Sequence, residues 1–360
     1  MSFVSKTARP TIADVARRAG VSKGLVSFAL NDRPGVSAQT RQRIIAAADE
    51  LGWRPSVRAR SLSSDRAFAL GLVLARDPDI IAGDPFFPAF ISGVESVLAP
   101  AGQALVLSMV ESGDAESRTY RQLARHGRVD GVIISDLRAG DTRIALAGEL
   151  GLSAVTLGTP DIRSPFPAVT VDDAEGIHAS VSHLVTQGHT RIAHVGGPAT
   201  MLHGSRRRDS FRAAMRQGGL ADDLVVETDF SAAQGAAATR RLLERRDRPT
   251  AIVYSNDPMA IAGLGIAQRA GLEVPGDLSI TGFDGSDLGR YLHPSLTTVS
   301  TSARQWGMAA ASALLRAIDG EEVDDIDLEP AQLVVGESTA PPRTSHRGDA
   351  AASTQQGERT

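Results

Sequence analysis

The chain lacks cysteine altogether, so disulfide bonds and thiol chemistry are excluded. It also lacks an apolar run of membrane-spanning length, and its first ten residues do not contain the apolar segment of a signal peptide. Lysine is nearly missing too, since only Lys6 and Lys23 occur among 38 basic residues, a bias to which we give no functional weight. From these absences we expect a soluble cytoplasmic protein without a membrane partner.

Motifs for catalysis and for cofactor binding are missing as well. Five histidines lie between residues 178 and 203, but their spacing does not place two on one helical face beside a third zinc ligand. Gly196 and Gly197 lack the spacing of a dinucleotide-binding loop, and residues 284–287 are too short for a calcium loop. The sequence contains no phosphate loop or nucleophile elbow. We therefore expect neither an enzyme nor a bound cofactor or metal.

The length and the charge distribution indicate more than one domain. At 360 residues the chain exceeds one ordinary hydrophobic core, so two or three domains are expected. The overall charge of −4 by itself argues against a nucleic-acid binder. Residues 1–66, however, hold twelve basic and five acidic residues, a net charge of +7, which leaves −11 for the remainder. A basic head on an acidic body is typical of proteins that bind nucleic acid through one end.

The sequence from Thr11 onward predicts three short helices. Thr11 can cap a first helix that ends at Gly20, and Ser22 can cap a second helix directly after the turn. A third helix is predicted to start at Ser37 and to end before Gly52. Two short helices joined by a tight, glycine-containing turn are the sequence form of a helix-turn-helix, whose second helix enters a DNA major groove. The pattern alone also fits a helix pair in a larger all-helical domain.

The second helix separates an apolar face from an outward face. Its apolar residues recur at three- and four-residue spacing, namely Leu25, Val26, Ala29 and Leu30. This spacing leaves Lys23, Gly24 and Phe28 pointing outward as the candidate DNA-reading face.

The segment TIADVARRAGVSKGLVSFALNDRPGVSAQTRQRIIAAADELGWRPSVRARSL resembles the headpiece and hinge of the lactose/galactose repressor family almost position for position. The resemblance implies base contacts from the second helix, phosphate contacts from the start of the third, and a hinge that folds over the minor groove. The residues it implies for DNA binding are Ser22, Lys23, Gly24, Ser27, Phe28, Ser37, Thr40, Arg41, Ala59, Arg60 and Leu62. Without DNA, the hinge is expected to be a solvated basic linker.

Three residues depart from the pattern of this family. Phe28 stands where many relatives carry Arg or His, so it offers an apolar contact, for instance to a thymine methyl group, instead of bidentate hydrogen bonds. The half-site is therefore expected to differ from the familiar ones. Trp53 and Ser56 replace the usual Tyr and Asn, so two backbone contacts are expected to differ as well.

Beyond residue 66, short apolar runs alternate with amphipathic helices. We predict strands at 68–75, 104–110, 129–135, 154–157, 192–195, 224–227, 251–254 and 278–283. Such runs indicate a parallel sheet covered on both faces, and their restart near residue 192 predicts two similar α/β lobes. Residues 294–300 are expected to return the chain to the first lobe, where a helix at 303–318 containing Trp306 packs. Ligands of such folds bind at the carboxyl ends of the strands, and a cleft between two lobes is a natural site.

The body resembles the same family, whose effector domain is similar to periplasmic sugar-binding proteins. The runs that carry the likeness include DPFFPAFISGVE, RRRDSFRAAM, YSNDPMAIAG and VPGDLSITGFDGSDLGRYLHPSLTTV. The ligand contacts implied are Phe86, Phe87, Arg207, Phe230, Asn256 and Asp284. Arg, Asn and Asp side chains can bind vicinal hydroxyls while an aromatic ring packs on a sugar ring. Two simpler interpretations stay open: Phe86 and Phe87, expected in a loop, cover the lobe core, and Asp284 caps the following turn.

The expected fold is an all-α helix-turn-helix headpiece with a hinge helix, followed by a two-lobed α/β periplasmic-binding-protein-like domain with parallel sheets. The expected segments are a disordered N-terminus (1–10), the headpiece (11–56), the hinge helix and linker (57–65), the effector-binding and dimerisation domain (66–340) and a disordered tail (341–360). We expect a ligand-responsive repressor whose partners are operator DNA, a sugar-type effector and a second copy in a homodimer. The alternative is a sugar-binding transport protein without regulatory function.

The resemblance makes Leu62 the side chain that is inserted between base steps at the operator centre. Leu62→Ala should weaken operator binding roughly tenfold or more while nonspecific binding changes little, because only the specific complex contains the kinked step. Fluorescence anisotropy with an operator duplex and an unrelated duplex measures both affinities. Equal losses on the two duplexes would contradict the insertion.

Overall fold

The structure, a computed structural model, describes residues 10–30, 34–54, 66–111 and 113–343. The chain divides into two compact units, of which the first ends at Phe68 and the second begins at Ala69. The hinge predicted at 57–65 and its implied DNA contacts Ala59, Arg60 and Leu62 lie outside the described residues.

The described part of the first unit has three helices, α1 (Ile12–Ala19), α2 (Lys23–Leu30) and α3 (Ala38–Glu50). As predicted, α1 starts after Thr11, whose backbone N–H and hydroxyl both donate to the Asp14 carboxylate at 2.9 and 2.7 Å. It ends at Gly20, whose φ of 66° favours glycine. The Oγ of Ser22 accepts a hydrogen bond from the N–H of Leu25 at 3.2 Å and so caps α2 after a two-residue turn.

A small apolar core holds these helices together. Each helix contributes one fully buried side chain, namely Val15, Val26 and Ile44. Burial of each is worth about 1.5–3 kcal/mol relative to exposure. Arg41 adds a polar link, because its Nη1 donates to the backbone carbonyl of Ala29 at 3.1 Å and fixes the start of α3 against α2.

The second unit contains twelve strands in the part of the chain that the structure describes. They are β1 (Ala69–Leu74), β2 (Ala104–Met109), β3 (Gly131–Ile134), β4 (Ser153–Leu157), β5 (Ala168–Thr170), β6 (Ile192–Gly196), β7 (Val225–Glu227), β8 (Ala251–Tyr254), β9 (Ser279–Asp284), β10 (Thr297–Ser300), β11 (Ile326–Asp327) and β12 (Gln332–Val334). One sheet has the order β11-β5-β4-β3-β1-β2 and the other β12-β10-β9-β8-β6-β7. Every neighbouring pair is parallel except β10 with β12.

Helices cover the two sheets. They are α4 (Pro78–Gly83), α5 (Phe86–Leu98), α6 (Gly113–Arg125), α7 (Thr142–Glu149), α8 (Asp173–Thr186), α9 (Leu202–Gln217), α10 (Ala232–Leu243), α11 (Asp257–Arg269), α12 (Asp287–Arg290) and α13 (Ala303–Ile318). Among the residues covered by the structure, no helix is both long and apolar enough to cross a membrane.

The eight predicted strands are all present within two residues of their expected ends, and four further strands were not predicted. The prediction of a loop at Phe86 and Phe87 was wrong, because both residues form the first turn of α5. Pro88 is tolerated in this turn, where a backbone N–H is not needed, and the Oδ1 of Asp84 accepts from the N–H of Phe86 at 3.0 Å. The disordered tail was predicted to begin at residue 341, but the structure describes the chain as far as Arg343. The Arg343 side chain pairs with Asp277 at 3.0 Å.

The chain crosses between the two sheets three times, at residues 171–172, 301–302 and 328–331. These crossings divide the unit into a first lobe around the β1 to β5 sheet and a second lobe around the β6 to β10 sheet. The prediction that residues 294–300 form the return crossing was wrong. They contain β10 of the second sheet, and the crossing follows at residues 301–302. The helix at 303–318 packs on the first lobe as predicted, and the indole N–H of Trp306 donates to the carbonyl of Val169 at 2.8 Å.

Helices α5 and α13 pack closely because each carries a glycine at the contact. A Cβ on Gly93 would lie 2.0 Å from the carbonyl oxygen of Arg304, and a Cβ on Gly307 would lie 2.1 Å from that of Phe90. Both distances are too short for any other residue. The two glycines therefore set the helix separation in the first lobe.

We predict that Gly307→Ala destabilises the second unit by about 1–3 kcal/mol, because the added methyl group forces the two backbones apart. Gly148→Ala in α7 is the matched control, since nothing lies within 4 Å of its Cβ position and alanine is the better helix former. The midpoints of urea denaturation compare the two variants with the parent chain. A Gly307→Ala midpoint equal to that of Gly148→Ala would contradict the close packing.

Candidate functional site

A cleft between the lobes, at the carboxyl ends of both sets of strands, is the candidate ligand site. Its volume is about 770 Å³, including the part open to solvent. The residues that line it are Arg76, Asp84, Phe86, Phe87, Ser135, Asp136, Leu137, Leu157, Gly158, Val171, Asp173, Leu202, His203, Arg206, Arg207, Phe230, Asn256, Asp284 and Trp306. All six ligand contacts implied by the resemblance are in this set, although they come from five separate segments of the chain.

Phe86 and Phe87 form part of the first-lobe wall. Their rings lie 5.5 Å apart in an edge-to-face arrangement, and the Phe86 ring contacts the Trp306 indole in the same way at 5.8 Å. Phe87 is buried in the core of the first lobe and Phe86 packs against that core from the cleft side. Both rings therefore cover the core of the first lobe, which was the simpler interpretation, and this role does not exclude contact with a ligand.

Arg207 lies in α9 and is held from two sides. Its Nε donates to Asp173 at 3.0 Å, its Nη1 donates to the carbonyl of Ser255 at 2.7 Å, and its guanidinium lies 3.7 Å from the centre of the Phe283 ring. No hydrogen-bond partner of its Nη2 occurs among the described residues. The contacts fix the guanidinium at the cleft wall and leave one end of it for a ligand.

Asp284 ends β9 with a left-handed φ of 104°. In the described part of the chain no group donates a hydrogen bond to its carboxylate, so it does not cap the following turn. Asp257 does that instead, by accepting from the N–H of Ser286 and from the hydroxyl of Thr298, both at 2.6 Å. Burial raises the pKa of Asp284 well above its usual value.

A hydrogen bond links Asn256 to the backbone of Phe230. The Oδ1 of Asn256 caps α11 by accepting from the N–H of Met259 at 3.0 Å, and its Nδ2 donates to the carbonyl of Phe230 at 2.9 Å. Phe230 has a left-handed φ of 72°, and its ring stacks on His203 at 5.1 Å. Asn256 thus positions Phe230 and keeps one N–H for a ligand.

Sequence reasoning missed an ion pair between Arg76 and Asp136. The Nε and Nη2 of Arg76 each donate to Asp136 at 2.6 Å, and the guanidinium lies between the rings of Phe87 and Phe230, 5.5 and 5.2 Å from their centres. Burial disfavours the charged form of both residues. The opposite charge of the partner favours it more strongly, so the pKa of Asp136 is lowered and the pKa of Arg76 is raised. Both residues directly follow strands, so a complete survey of strand ends would have found them.

Backbone hydrogen bonds join the lobes at one side of the cleft. The N–H of Leu202 donates to the carbonyl of Leu137 at 2.8 Å, and that of Ala139 donates to the carbonyl of Thr200 at 3.4 Å. Arg206 also donates across the cleft to the carbonyl of Thr159. These bonds join the two lobes directly beside the cleft.

Burial also keeps a cleft histidine uncharged. It lowers the pKa of His203 to about 3, although Asp136 lies nearby. His203 therefore adds no positive charge to the cleft at neutral pH. Within the described ranges, no group of three or more His, Cys, Asp or Glu side chains could hold a metal ion.

In the first unit, the predicted DNA-reading face is exposed. Lys23 and Gly24 are exposed and Phe28 is 43% exposed, whereas Val26 and Ala29 are buried. Ser27 is half-buried on the same helix. The residues expected to contact phosphate lie at the start of α3, where Ser37 caps the helix by accepting from the N–H of Thr40 at 3.3 Å, and where Arg41 bonds α2.

The fold and these two surfaces define a class of protein: a DNA-binding regulator with a helix-turn-helix head and a periplasmic-binding-protein-like body. Residues 11–56 match the profile of bacterial regulatory proteins of the lacI family, and residues 181–339 match that of the periplasmic binding protein-like domain. The chain belongs to the lacI family of transcriptional regulators. Members of this family are regulators and not enzymes, which agrees with the missing catalytic motifs.

Relatives span nearly the whole chain. The HTH-type transcriptional regulator CelR of Thermobifida fusca is 32% identical over 333 residues, covering 91% of this chain and 96% of its own. The HTH-type transcriptional repressor PurR of Photobacterium profundum is also 32% identical, covering 86% and 92%.

Solved structures agree with the fold. A complex of the transcriptional regulator CelR with cellobiose is 31% identical, with a TM-score of 0.70 over 92% of this chain and 100% of the other. The lac repressor dimer bound to operator and the anti-inducer ONPF is 28% identical, with a TM-score of 0.80 over 92% and 99%.

Asp257, behind the cleft, provides a pH test of the site. Burial raises its pKa to about 6, so the folded state holds this proton more tightly than the unfolded chain, whose pKa is about 3.9. The stabilisation from this proton is complete below about pH 4 and is lost as the pH rises through 6. The free energy of unfolding of the parent chain should therefore fall by about 2 kcal/mol relative to Asp257→Asn between pH 4.5 and 7.5.

Urea denaturation across this pH range measures the difference. Asp287→Asn is the control, because the Asp287 side chain is 88% exposed. Parallel pH profiles for the parent chain and Asp257→Asn would contradict the raised pKa.

Proposed function

We propose that the protein is a ligand-responsive repressor that binds a pseudo-palindromic operator as a homodimer and is controlled by a sugar bound in the cleft. The observation that supports this most is the meeting of the six implied contacts, Phe86, Phe87, Arg207, Phe230, Asn256 and Asp284, in one cleft. The head supplies DNA binding, and the body supplies the ligand response.

The side chains that line the cleft suit a sugar ring. The Phe86 ring of the first lobe can cover an apolar face of a pyranose, and Phe230 of the second lobe lines the same cleft although its ring is stacked on His203. Arg207 offers donors and Asp284 offers acceptors at the same wall, and such a pair binds vicinal hydroxyls with charge-assisted hydrogen bonds. The cellobiose complex of CelR is a relative with a sugar ligand, which supports the same class here.

On the DNA side, the first turn of α2 approaches the base edges in the major groove. Lys23 supplies a donor, and Gly24 allows close approach of the backbone. Phe28 contacts a thymine methyl group, so the operator half-site contains an A·T pair where relatives with Arg or His read guanine. In a two-fold dimer the two heads occupy successive major grooves, and Leu62 from each subunit meets at the central step.

Regulation requires that the sugar bind the closed and open forms of the body with different affinity. The cleft has contacts from both lobes, so a bound sugar favours closure. Closure changes the position of the first lobe, to which the hinge residues 57–65 connect. The hinge segment 57–65 then folds on the operator in only one of the two forms of the body, the closed or the open one.

The test of this function is operator selection by the full chain. The protein should select a two-fold symmetric site from random duplexes, and a sugar from a panel should change the affinity for that site. Operator affinity should fall with salt, with a log-log slope of about −0.9 per phosphate neutralised. Failure to select any symmetric site, or a flat salt response, would refute the function.

Phe28→Ala should weaken binding to the selected operator about tenfold and leave nonspecific affinity unchanged, because the lost contact is to a base. Ile45→Ala is a matched control, since Ile45 is 42% exposed, like Phe28, but lies on α3 outside the implied DNA contacts. Anisotropy titrations with operator and unrelated duplex give both affinities, and thermal melts confirm folding. Equal operator losses for the two variants would contradict base reading by Phe28.

A further inference from the structure

The cleft walls carry seven formally charged side chains. Three are arginines, Arg76, Arg206 and Arg207, and four are aspartates, Asp84, Asp136, Asp173 and Asp284. Because the remaining titratable lining residue, His203, stays neutral, the walls do not carry a net positive charge. A ligand in this cleft therefore meets more carboxylates than guanidinium groups.

Each of the two well-buried arginines is already neutralised by its own carboxylate. Arg76 makes two hydrogen bonds of 2.6 Å to Asp136, which is the geometry that another carboxylate or a phosphate would need. Arg207 is paired with Asp173 at 3.0 Å and has a second bond to the carbonyl of Ser255. An anionic ligand that took the place of Asp136 or Asp173 would leave that carboxylate in the cleft wall without a partner, which is costly. The open Nη2 of Arg207 can still donate a hydrogen bond, but it belongs to a guanidinium whose charge Asp173 already compensates.

The third arginine does not provide an alternative anion site deep in the cleft. Arg206 is half-buried, and it donates across the cleft to the carbonyl of Thr159, which is exposed to solvent. Water screens a charge there, so it contributes little to the binding of an anion.

The two remaining carboxylates require donors. Asp284 accepts no hydrogen bond from the described residues. Asp84 accepts from the N–H of Phe86 at 3.0 Å and lies 4.0 Å from Arg76, beyond hydrogen-bond distance. Burial raises the pKa of both groups, which is the direction expected for buried carboxylates with few donors. A ligand that brings hydroxyl donors supplies what is missing, and one that brings a negative charge makes the shortage worse.

We propose that the cleft selects an uncharged polyhydroxy ligand against its phosphorylated and carboxylated counterparts, and that Asp136 and Asp173 are the specificity determinants because they neutralise Arg76 and Arg207. This proposal rests on the proposed function only in taking the cleft as the effector site. Asp136 and Asp173 act by withholding charge from anions, in addition to any contact that they make with the sugar.

The test removes the neutralising charges in steps. Asp136→Asn frees the charge of Arg76, Asp173→Asn frees that of Arg207, and the double variant frees both. The probe is inorganic sulfate, added to the full chain with sodium chloride adjusted to constant ionic strength, and the readout is the thermal unfolding midpoint. Asp209→Asn is the control, because Asp209 pairs with Arg208 at 2.9 Å outside the cleft.

We expect the half-saturating sulfate concentration to fall about tenfold in each single variant and further in the double variant, as expected for one gained bond to a charged group. The parent chain and Asp209→Asn should respond alike, since any sulfate bound by the basic head is common to all variants. If one single variant does not fold, the other carries the test, because the two pairs lie in different lobes. Equal sulfate responses in the parent chain and in the cleft variants would overturn the proposal.

Matched ligands give an independent measurement. Glucose, glucuronate and glucose 6-phosphate, with the corresponding galactose set, are titrated calorimetrically against the parent chain. Tighter binding of an anionic member than of its neutral partner would overturn the proposal. Operator selection is measured separately, so a chain that selects no operator but shows the expected ligand pattern refutes the regulatory function and leaves the cleft specificity standing.

Discussion

The structure of the body depends on one constraint, the three crossings of the chain between two parallel sheets. Because the strands of each sheet are parallel apart from β12, their carboxyl ends gather at one edge, and the crossings hold the two edges opposite each other. Arg76 after β1, Asp136 after β3 and Asp284 at the end of β9 meet for this reason and not through local sequence. The cleft is therefore a consequence of the topology, and its chemistry is set by the residues that follow the strands.

Buried ion pairs hold the polar side chains of the first-lobe wall in place. The pair of Arg76 and Asp136 continues into a polar network, since Arg143 donates to the backbone carbonyl of Asp136 at 3.0 Å and to Glu116 at 2.7 Å. Glu116 also accepts from Arg138 at 2.7 Å, and Arg138 lies in the segment that bonds the second lobe. Such pairs add little net stability because of their desolvation cost, but breaking one is expensive. They therefore give the first-lobe wall one defined arrangement, to which the second lobe is joined at Arg138 and Met201.

Sequence reasoning predicted the parts of the molecule that local physics determines. The caps at Thr11 and Ser22 and the buried runs that became β1 or β8 follow from periodicity and hydrogen-bonding chemistry alone. The six cleft residues came from a family resemblance, which carries the positions but not the contacts. The pairing of Arg76 with Asp136, sixty residues apart, could not be predicted, because it depends on strand order in the sheet. The loop predicted at Phe86 was wrong because proline in the first turn of a helix resembles proline in a loop.

Arginine serves two opposite purposes in this chain, and exposure separates them. In the head, Arg17 pairs with Asp14 at 3.0 Å while its side chain is 78% exposed, and such a solvent-screened pair contributes little to stability. An exposed arginine can exchange its carboxylate for a DNA phosphate at little cost, which suits a head with a net charge of +7. In the cleft, the side chain of Arg76 is only 8% exposed, and the same exchange would leave Asp136 buried and unpaired. The same residue type can therefore serve a phosphate-binding head and a cleft that disfavours anions, because its side chain is exposed at one site and buried at the other.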